Sequence, residues 1–323
     1  MKRFLKTIVV LLGILLVLNV VLDFAFSRFL GRSQNLIYKS WHVIIHDTID
    51  ADLLVMGSSR AWVQYDPHVM DSMLSVNSYN LGLIGSHVKR QIVKYEVYRH
   101  YQRKRPSCLI INFDYFGNWN QNVNEGFQRE QYFPHLTNIY IRRLLRLKRQ
   151  ESFSIGELYV PMYRYYSHGA LSLMELPFGN YEKRYNEECW YKGYYWGMPQ
   201  EWDGTKFAKI DKVEFSPNQD EVDEFDTFLS EVQKDSIQVI FVCSPIYAGV
   251  TKKSINLSEY YVFRSHFSEK YNIPVLDYTD DTICYDTTYF YNATHLNKTG
   301  AELFTTKLCH DLDSMRIAYK KNK

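Results

Sequence analysis

Apolar positions follow three different patterns along the 323-residue chain. The first is a near-continuous run from Ile8 to Leu22, interrupted by Gly13 and Asn19, preceded by Lys2, Arg3 and Lys6 and broken by Asp23. A spanning helix needs about 20 predominantly apolar residues, and Thr7 to Phe26 supplies them. The pattern predicts an uncleaved membrane anchor over residues 1–30 and a juxtamembrane segment over 31–50. The rival is a cleaved signal peptide, whose apolar core is about 7–15 residues and ends at a small-x-small site. Asp23-Phe24-Ala25-Phe26-Ser27 is a poor site of that kind. Cations on the short amino-terminal side place the bulk of the chain outside the cytoplasm, with Arg28 and Arg32 pulling the other way.

The second pattern is a series of short apolar runs alternating with helical stripes. Continuous runs near 52–56, 78–81, 109–113, 239–243 and 274–277 have the length and two-sided hydrophobicity of buried parallel strands. Between them, Val93, Val97 and Tyr101 form a stripe that stops before Pro106, and Val222, Phe225, Leu229 and Val232 form another. The latter helix is predicted to open at a capping box, Ser216-Pro-Asn-Gln219, with proline at the first helical position. A terminal helix from Asn297 carries Ala301, Phe304 and Leu308 on one face. Strands alternating with helices predict an α/β fold, a three-layer parallel sheet of flavodoxin-like type, over residues 51–323.

The third pattern is an interruption of that rhythm from about 117 to 215. Roughly a hundred residues is far too long for a connection, so this stretch is expected to fold as an insertion or cap over the carboxyl ends of the strands. It holds much of the aromatic excess of a chain with 27 Tyr, 19 Phe and 6 Trp. Such rings stack on sugars but more often build cores.

Composition changes the picture little. A net charge of +2 offers no global field for nucleic acid, and no phosphate-binding glycine loop is present, so no nucleotide or other cofactor is expected. The five cysteines are odd in number and contain no CxxC pair, which supports neither a zinc site nor a fully paired disulfide framework. His42 and His46 have the spacing of a helical metal pair, but Val43 replaces the glutamate of HExxH and no third ligand is evident, so no metal is expected. Arg142, Arg143, Arg146, Lys148 and Arg149 surround Leu144, Leu145 and Leu147 in a basic helix, which suits a solvated surface or acidic glycan and lipid headgroups.

Candidate chemistry lies at strand ends, where parallel α/β sheets bind ligands. Gly57-Ser58-Ser59-Arg60 follows the first strand, and a serine on such a turn can expose its hydroxyl beside free backbone N–H groups. By itself the motif is more often simply a helix cap. Asn292-Ala-Thr-His295-Leu precedes the terminal helix and offers a histidine as general base.

Together with Asn80-Leu-Gly-Leu-Ile-Gly85 after the second strand, these blocks resemble those of the SGNH (GDSL-like) hydrolases. The amino-terminal anchor and large insertion are similar to membrane-anchored bacterial members that modify cell-surface glycans, including alginate-type O-acetylation proteins. The resemblance covers about residues 50–115 and 235–310. It implies Ser59 as nucleophile, His295 as base, and the N–H groups of Ser59 and Gly85 as an oxyanion hole. Two positions depart from it. Asn292 stands where the family has an aspartate, with Asp286 as a possible substitute, and the family's third-block asparagine has no clear match. Asn118 is the nearest candidate for that oxyanion donor, while Asn112 and Asp114 fall early.

The resulting expectation is a single-pass, membrane-anchored serine esterase or O-acyltransferase, for acetyl groups, on an extracytoplasmic glycan or acylated saccharide. The alternative is a catalytically weak relative that binds glycan or scaffolds a membrane-bound acyltransferase. A purely structural surface protein leaves the Ser/His pairing unexplained.

Overall fold

The computed structural model describes residues 1–33, 35–115, 119, 129–148, 153–167 and 187–315. In chain order the principal elements begin with α1 (Lys2–Gly31), α2 (Leu36–His46), β1 (Leu53–Met56), α3 (Ser59–Gln64), α4 (Pro67–Leu74), β2 (Ser78–Asn80), α5 (Val88–Tyr101) and β3 (Cys108–Asn112). Next come α6 (Ile139–Leu147), α7 (Ile155–Tyr159), α8 (Tyr163–Ser167), β4 (Trp190–Tyr191), β5 (Tyr194–Tyr195) and α9 (Gln219–Lys234). The chain closes with β6 (Gln238–Cys243), α10 (Leu257–Tyr271), β7 (Val275–Asp277), β8 (Phe290–Asn292), β9 (His295–Leu296) and α11 (Lys298–Ser314). Contacts divide it into two units, Met1–Asp47 with Glu125–Glu187, and Thr48–Asn124 with Glu188–Lys323. Residues 117–215 therefore fall in both units.

The larger unit is α/β. Its five-stranded sheet has the order β2-β1-β3-β6-β7, and every pairing is parallel. All five strands lie within a residue or two of the apolar runs. Alternate residues point to opposite faces. Leu53, Val55, Cys108, Ile110, Ile240 and Val242 join Ala301, Phe304 and Leu308 of α11 in one core cluster. On the other face, Phe241 meets Phe225 of α9, and Tyr95 of α5 meets Phe228 of α9 edge-on. Helices thus cover both faces, as a parallel sheet requires.

Strand order reverses direction between β1 and β3, which creates a crevice at their carboxyl ends. The aromatic segment 188–215 contributes to this unit. Tyr195 stacks on Trp62 of α3 with ring centroids 4.7 Å apart, and Asn297 donates to the Gln200 carbonyl at 2.7 Å.

Helix α9 starts at Gln219, with Asn218 rather than Ser216 as its cap. The Asn218 side chain accepts from the Asp220 N–H at 2.9 Å, so the Ser-Pro pair lies outside the helix.

In the smaller unit, α1 runs through Asp23, whose carboxylate is paired. Arg164 donates to its carboxylate at 2.6 Å, and the Met162 N–H donates at 2.8 Å. One turn on, Ser27 contacts the Tyr165 hydroxyl at 2.8 Å. Asn35 caps α2 by accepting from the Ile37 N–H, and Trp41 donates to Gln131 at 3.0 Å. The helix Lys2–Gly31 is long and apolar enough to cross a membrane, and most of its side chains up to Leu22 are exposed. His42 and His46 sit one turn apart on α2 with ring centroids at 4.5 Å. Among the described residues no group of three or more potential metal ligands occurs.

Candidate active site

Ser59 occupies the first position of α3, immediately after β1 and the Gly57-Ser58 turn. A Cβ on Gly57 would lie 2.6 Å from that of Ala61 and 2.8 Å from that of Asn112, so only glycine lets the turn pack this tightly. First-turn N–H groups have no partner within a helix, which leaves the Ser59 amide free of the helical ladder. His295, 236 residues away, reaches it from β9, with Oγ and Nε2 2.8 Å apart. Ser59 and His295 are both half-buried.

The histidine is oriented by its own turn. Its Nδ1 lies 3.0 Å from Asn292 Oδ1 and 2.8 Å from Thr294 Oγ1. Asn292 Oδ1 also accepts from the Thr294 backbone N–H at 3.0 Å, a group that can only donate, so this atom is the amide oxygen. An oxygen facing Nδ1 selects the Nδ1–H tautomer and leaves the Nε2 lone pair for the Ser59 hydroxyl. The ring is neutral at ordinary pH. Desolvation, then the positive charges of Arg60 and Lys206, pull its pKa down to about 3. Asp286 does not reach it: that carboxylate is exposed and accepts from Thr288 N and Oγ1 at 2.9 and 2.7 Å.

Beneath Ser59 lies a buried polar network with no counterpart in the sequence-based expectations. Arg60 donates to Asp114 at 2.6 Å, to the Ser244 carbonyl at 2.5 Å and to the Pro245 carbonyl at 3.1 Å. Ser58 donates to the other Asp114 oxygen at 2.7 Å. Asn112 donates to Asp114 at 2.6 Å and accepts from Tyr65 at 2.6 Å. Arg60 and Asp114 are 4% and 1% exposed, so the pair substitutes for water that neither can reach. The readable signal was an arginine directly after Gly-Ser-Ser and an aspartate just past β3. Both lie at ends of adjacent parallel strands, and a buried arginine needs an acid.

The loop after β2 joins the same end of the sheet, since Val55 pairs with Asn80 and the Leu83 N–H donates to the Gly57 carbonyl at 3.1 Å. Gly82 packs against the Trp62 backbone, where a Cβ would lie 2.3 Å from its nitrogen. Lys94, 2% exposed, donates from α5 to the Gly82 carbonyl at 3.2 Å, and burial lowers its pKa to about 7. Gly85 occupies a turn with φ of 59°, in the left-handed region that favours glycine. Asn118 lies outside the described residues.

No family model and no curated protein matches the chain. Among solved structures, it is similar to one described as a lipolytic protein of the G-D-S-L family from Desulfitobacterium hafniense, at 13% identity and a TM-score of 0.36, over 80% of this chain and 97% of that one. A second, described as an acylhydrolase from Bacteroides fragilis, shares 10% identity at a TM-score of 0.35, over 80% of this chain and 86% of that one. Likenesses this distant do not place the chain in a family.

Proposed function

We propose that the chain is a serine-dependent ester hydrolase or O-acyltransferase of the SGNH type, anchored in a membrane and acting on an extracytoplasmic glycan. The observation that carries the reading is the 2.8 Å approach of Ser59 Oγ to His295 Nε2, with the Nδ1 side of the ring held by Asn292. In this reading Oγ attacks an acyl carbonyl while Nε2 takes the hydroxyl proton, forming a tetrahedral oxyanion beside the Ser59 and Gly85 N–H groups. Collapse expels the alcohol, which takes the proton back from His295. Water or a sugar hydroxyl then attacks the acyl-serine by the reverse steps, giving hydrolysis or transfer.

The anchor is supported by the inward side of α1. Asp23, Ser27 and Leu30 are 6%, 7% and 0% exposed. Removing residues up to about 26 would take away the Asp23 carboxylate that pairs with the buried Arg164, and breaking a buried ion pair by removing one partner costs about 3–5 kcal/mol. Lys2, Arg3 and Lys6 then mark the cytoplasmic end.

Steady-state hydrolysis of p-nitrophenyl acetate tests the chemistry. Ser59→Ala and His295→Ala should each lower turnover by roughly 10²–10⁴-fold. The second reading, a glycan-binding or acyltransferase-scaffolding protein with little activity, is favoured by one feature, the amide at Asn292 in place of a carboxylate. It predicts wild-type hydrolysis no faster than Ser59→Ala.

A further inference from the structure

We propose that the outward face of the α6–α8 layer is a seat for an anionic lipid bilayer, level with the point where α1 leaves the hydrocarbon. The inference rests on the reading that α1 spans a membrane. Its height is set by contacts inside the smaller unit. The apolar run ends at Leu22, and the next residue, Asp23, is hydrogen-bonded to Met162 and Arg164. Phe26 meets Tyr165 edge-on at 4.7 Å. The start of α8 is thereby fixed beside the end of the spanning stretch. Tyrosines at that level match the belt that marks membrane–water boundaries.

The layer's surface has the matching composition. Ile141, Leu144 and Leu145 of α6 point into the unit. Its outward stripe, at steps of four and three residues, carries Ile139, Arg143 and Arg146, all exposed. Ile139 is 75% exposed, and Ile155 and Tyr159 on α7 are 79% and 66% exposed. Tyr163 on α8 is 45% exposed. The three helices are contiguous. Arg142 donates to the Leu158 carbonyl at 3.2 Å and lies over the Tyr159 ring at 5.1 Å, while Gly156 packs against Tyr163.

Charge is sorted in the same sense. Glu157 is buried in an ion pair with Arg129 at 2.8 Å and Asp23 in one with Arg164, whereas Arg143 and Arg146 face outward. Large apolar side chains, tyrosines and arginines on one exposed face are what an interfacial element buries among headgroups. Arginine also suits the lipid phosphate, which it can hold by two parallel hydrogen bonds.

The test uses the full chain in nanodiscs of phosphatidylcholine, with or without phosphatidylglycerol. A photo-cross-linking benzoylphenylalanine replaces Ile139, Ile155 or Tyr163, with Leu16 as the reference for the span and Val262, 72% exposed on the larger unit, as the control. The expected result is lipid adducts at Ile139, Ile155 and Tyr163 well above Val262, enriched by phosphatidylglycerol. In the anionic discs, Arg143→Ala and Arg146→Ala should each lower the adduct ratio by about fivefold, the factor equivalent to roughly 1 kcal/mol per cation at an anionic surface. Adducts at Leu16 with none at the other three would keep the spanning helix and overturn the seat, while none at Leu16 would overturn the anchor itself. Lipid adducts indifferent to both arginines and to lipid charge overturn the anionic specificity. Adducts to protein in native membranes, with none to lipid in discs, would assign the face to a protein partner.

Discussion

Replacing Asn292 by aspartate puts a negative charge where the structure now holds a neutral oxygen 3.0 Å from His295 Nδ1. The substitution keeps the acceptor that sets the tautomer, so its effect is chiefly electrostatic. Charge centres about 4 Å apart at an effective dielectric of about 20 attract by about 4 kcal/mol. At 1.36 kcal/mol per pKa unit that is a ceiling of about 3 units. Partial exposure of the ring reduces it, leaving an upward shift of roughly 1–3 units from the present value of about 3. The sign follows from charge: a carboxylate favours the imidazolium, so the pKa rises. In wild type, kcat/KM for an acetyl ester should stay flat down to about pH 4. In Asn292→Asp its acid limb should move up to roughly pH 4–6, and the plateau should rise by less than the corresponding tenfold to thousandfold, roughly three- to thirtyfold if about half of the same energy stabilises the imidazolium formed during attack. Asn292→Ala should retain some activity, since Thr294 Oγ1 at 2.8 Å still accepts from Nδ1. Profiles between pH 3 and 8 for the three proteins check this. A wild-type limb already near 6.5, or a limb in Asn292→Asp that stays put, would refute the electrostatic account of this histidine.

Other outcomes follow from the network and the buried groups. Asp114→Ala leaves Arg60 charged and buried, so urea unfolding should show a loss of about 3–5 kcal/mol. Gly82→Ala forces a methyl against the Trp62 backbone and should cost about 1–3 kcal/mol in the same assay, with esterase activity falling as the loop moves off Gly57. Lys94→Met should stabilise the protein at pH 7, by at most about 5 kcal/mol. Because the folded-state pKa is depressed to about 7, the unfolded chain binds the extra proton, and the gain should shrink as pH rises toward 10.5. Iodoacetamide at pH 8 should modify Cys189 alone among the five free thiols, since burial pushes Cys108 and Cys309 to about 12 and Cys243 and Cys284 to about 11; intact mass should show a single adduct, and two or more would refute this.

The elements most legible in the sequence were those whose local pattern and tertiary role agree. The runs ending at Met56 and Cys243 are apolar on both faces because both faces are covered, and Ser59 and His295 stand out because chemistry at strand ends needs a turn and little else. Helix α5 was legible only in part. Its stripe was visible, yet residues from Val88 to Tyr98 are all buried, including Lys89, Arg90, Lys94 and Glu96. Pairing partners from distant segments, such as Asp220 for Lys89, make that burial tolerable and leave no local trace. The same holds for Arg60 and Asp114, 54 residues apart. As an oxyanion donor Asp114 falls early in the sequence, and its role shows only once a buried arginine is seen to require an acid. The broken rhythm over residues 117–215 reads in the sequence as one insertion. Contacts such as Asp23 with Arg164 draw their middle portion to the first helices, and periodicity cannot show that.

The central claim is that His295 activates Ser59, and a fluorophosphonate tests it most directly because the reagent reports nucleophilicity without a known substrate. Labelling followed by peptide mass spectrometry should place a single phosphonyl adduct on Ser59, lost in Ser59→Ala and at least a hundredfold slower in His295→Ala. An unlabelled but folded wild type, an adduct on another residue, or equal labelling of the His295→Ala protein would contradict it.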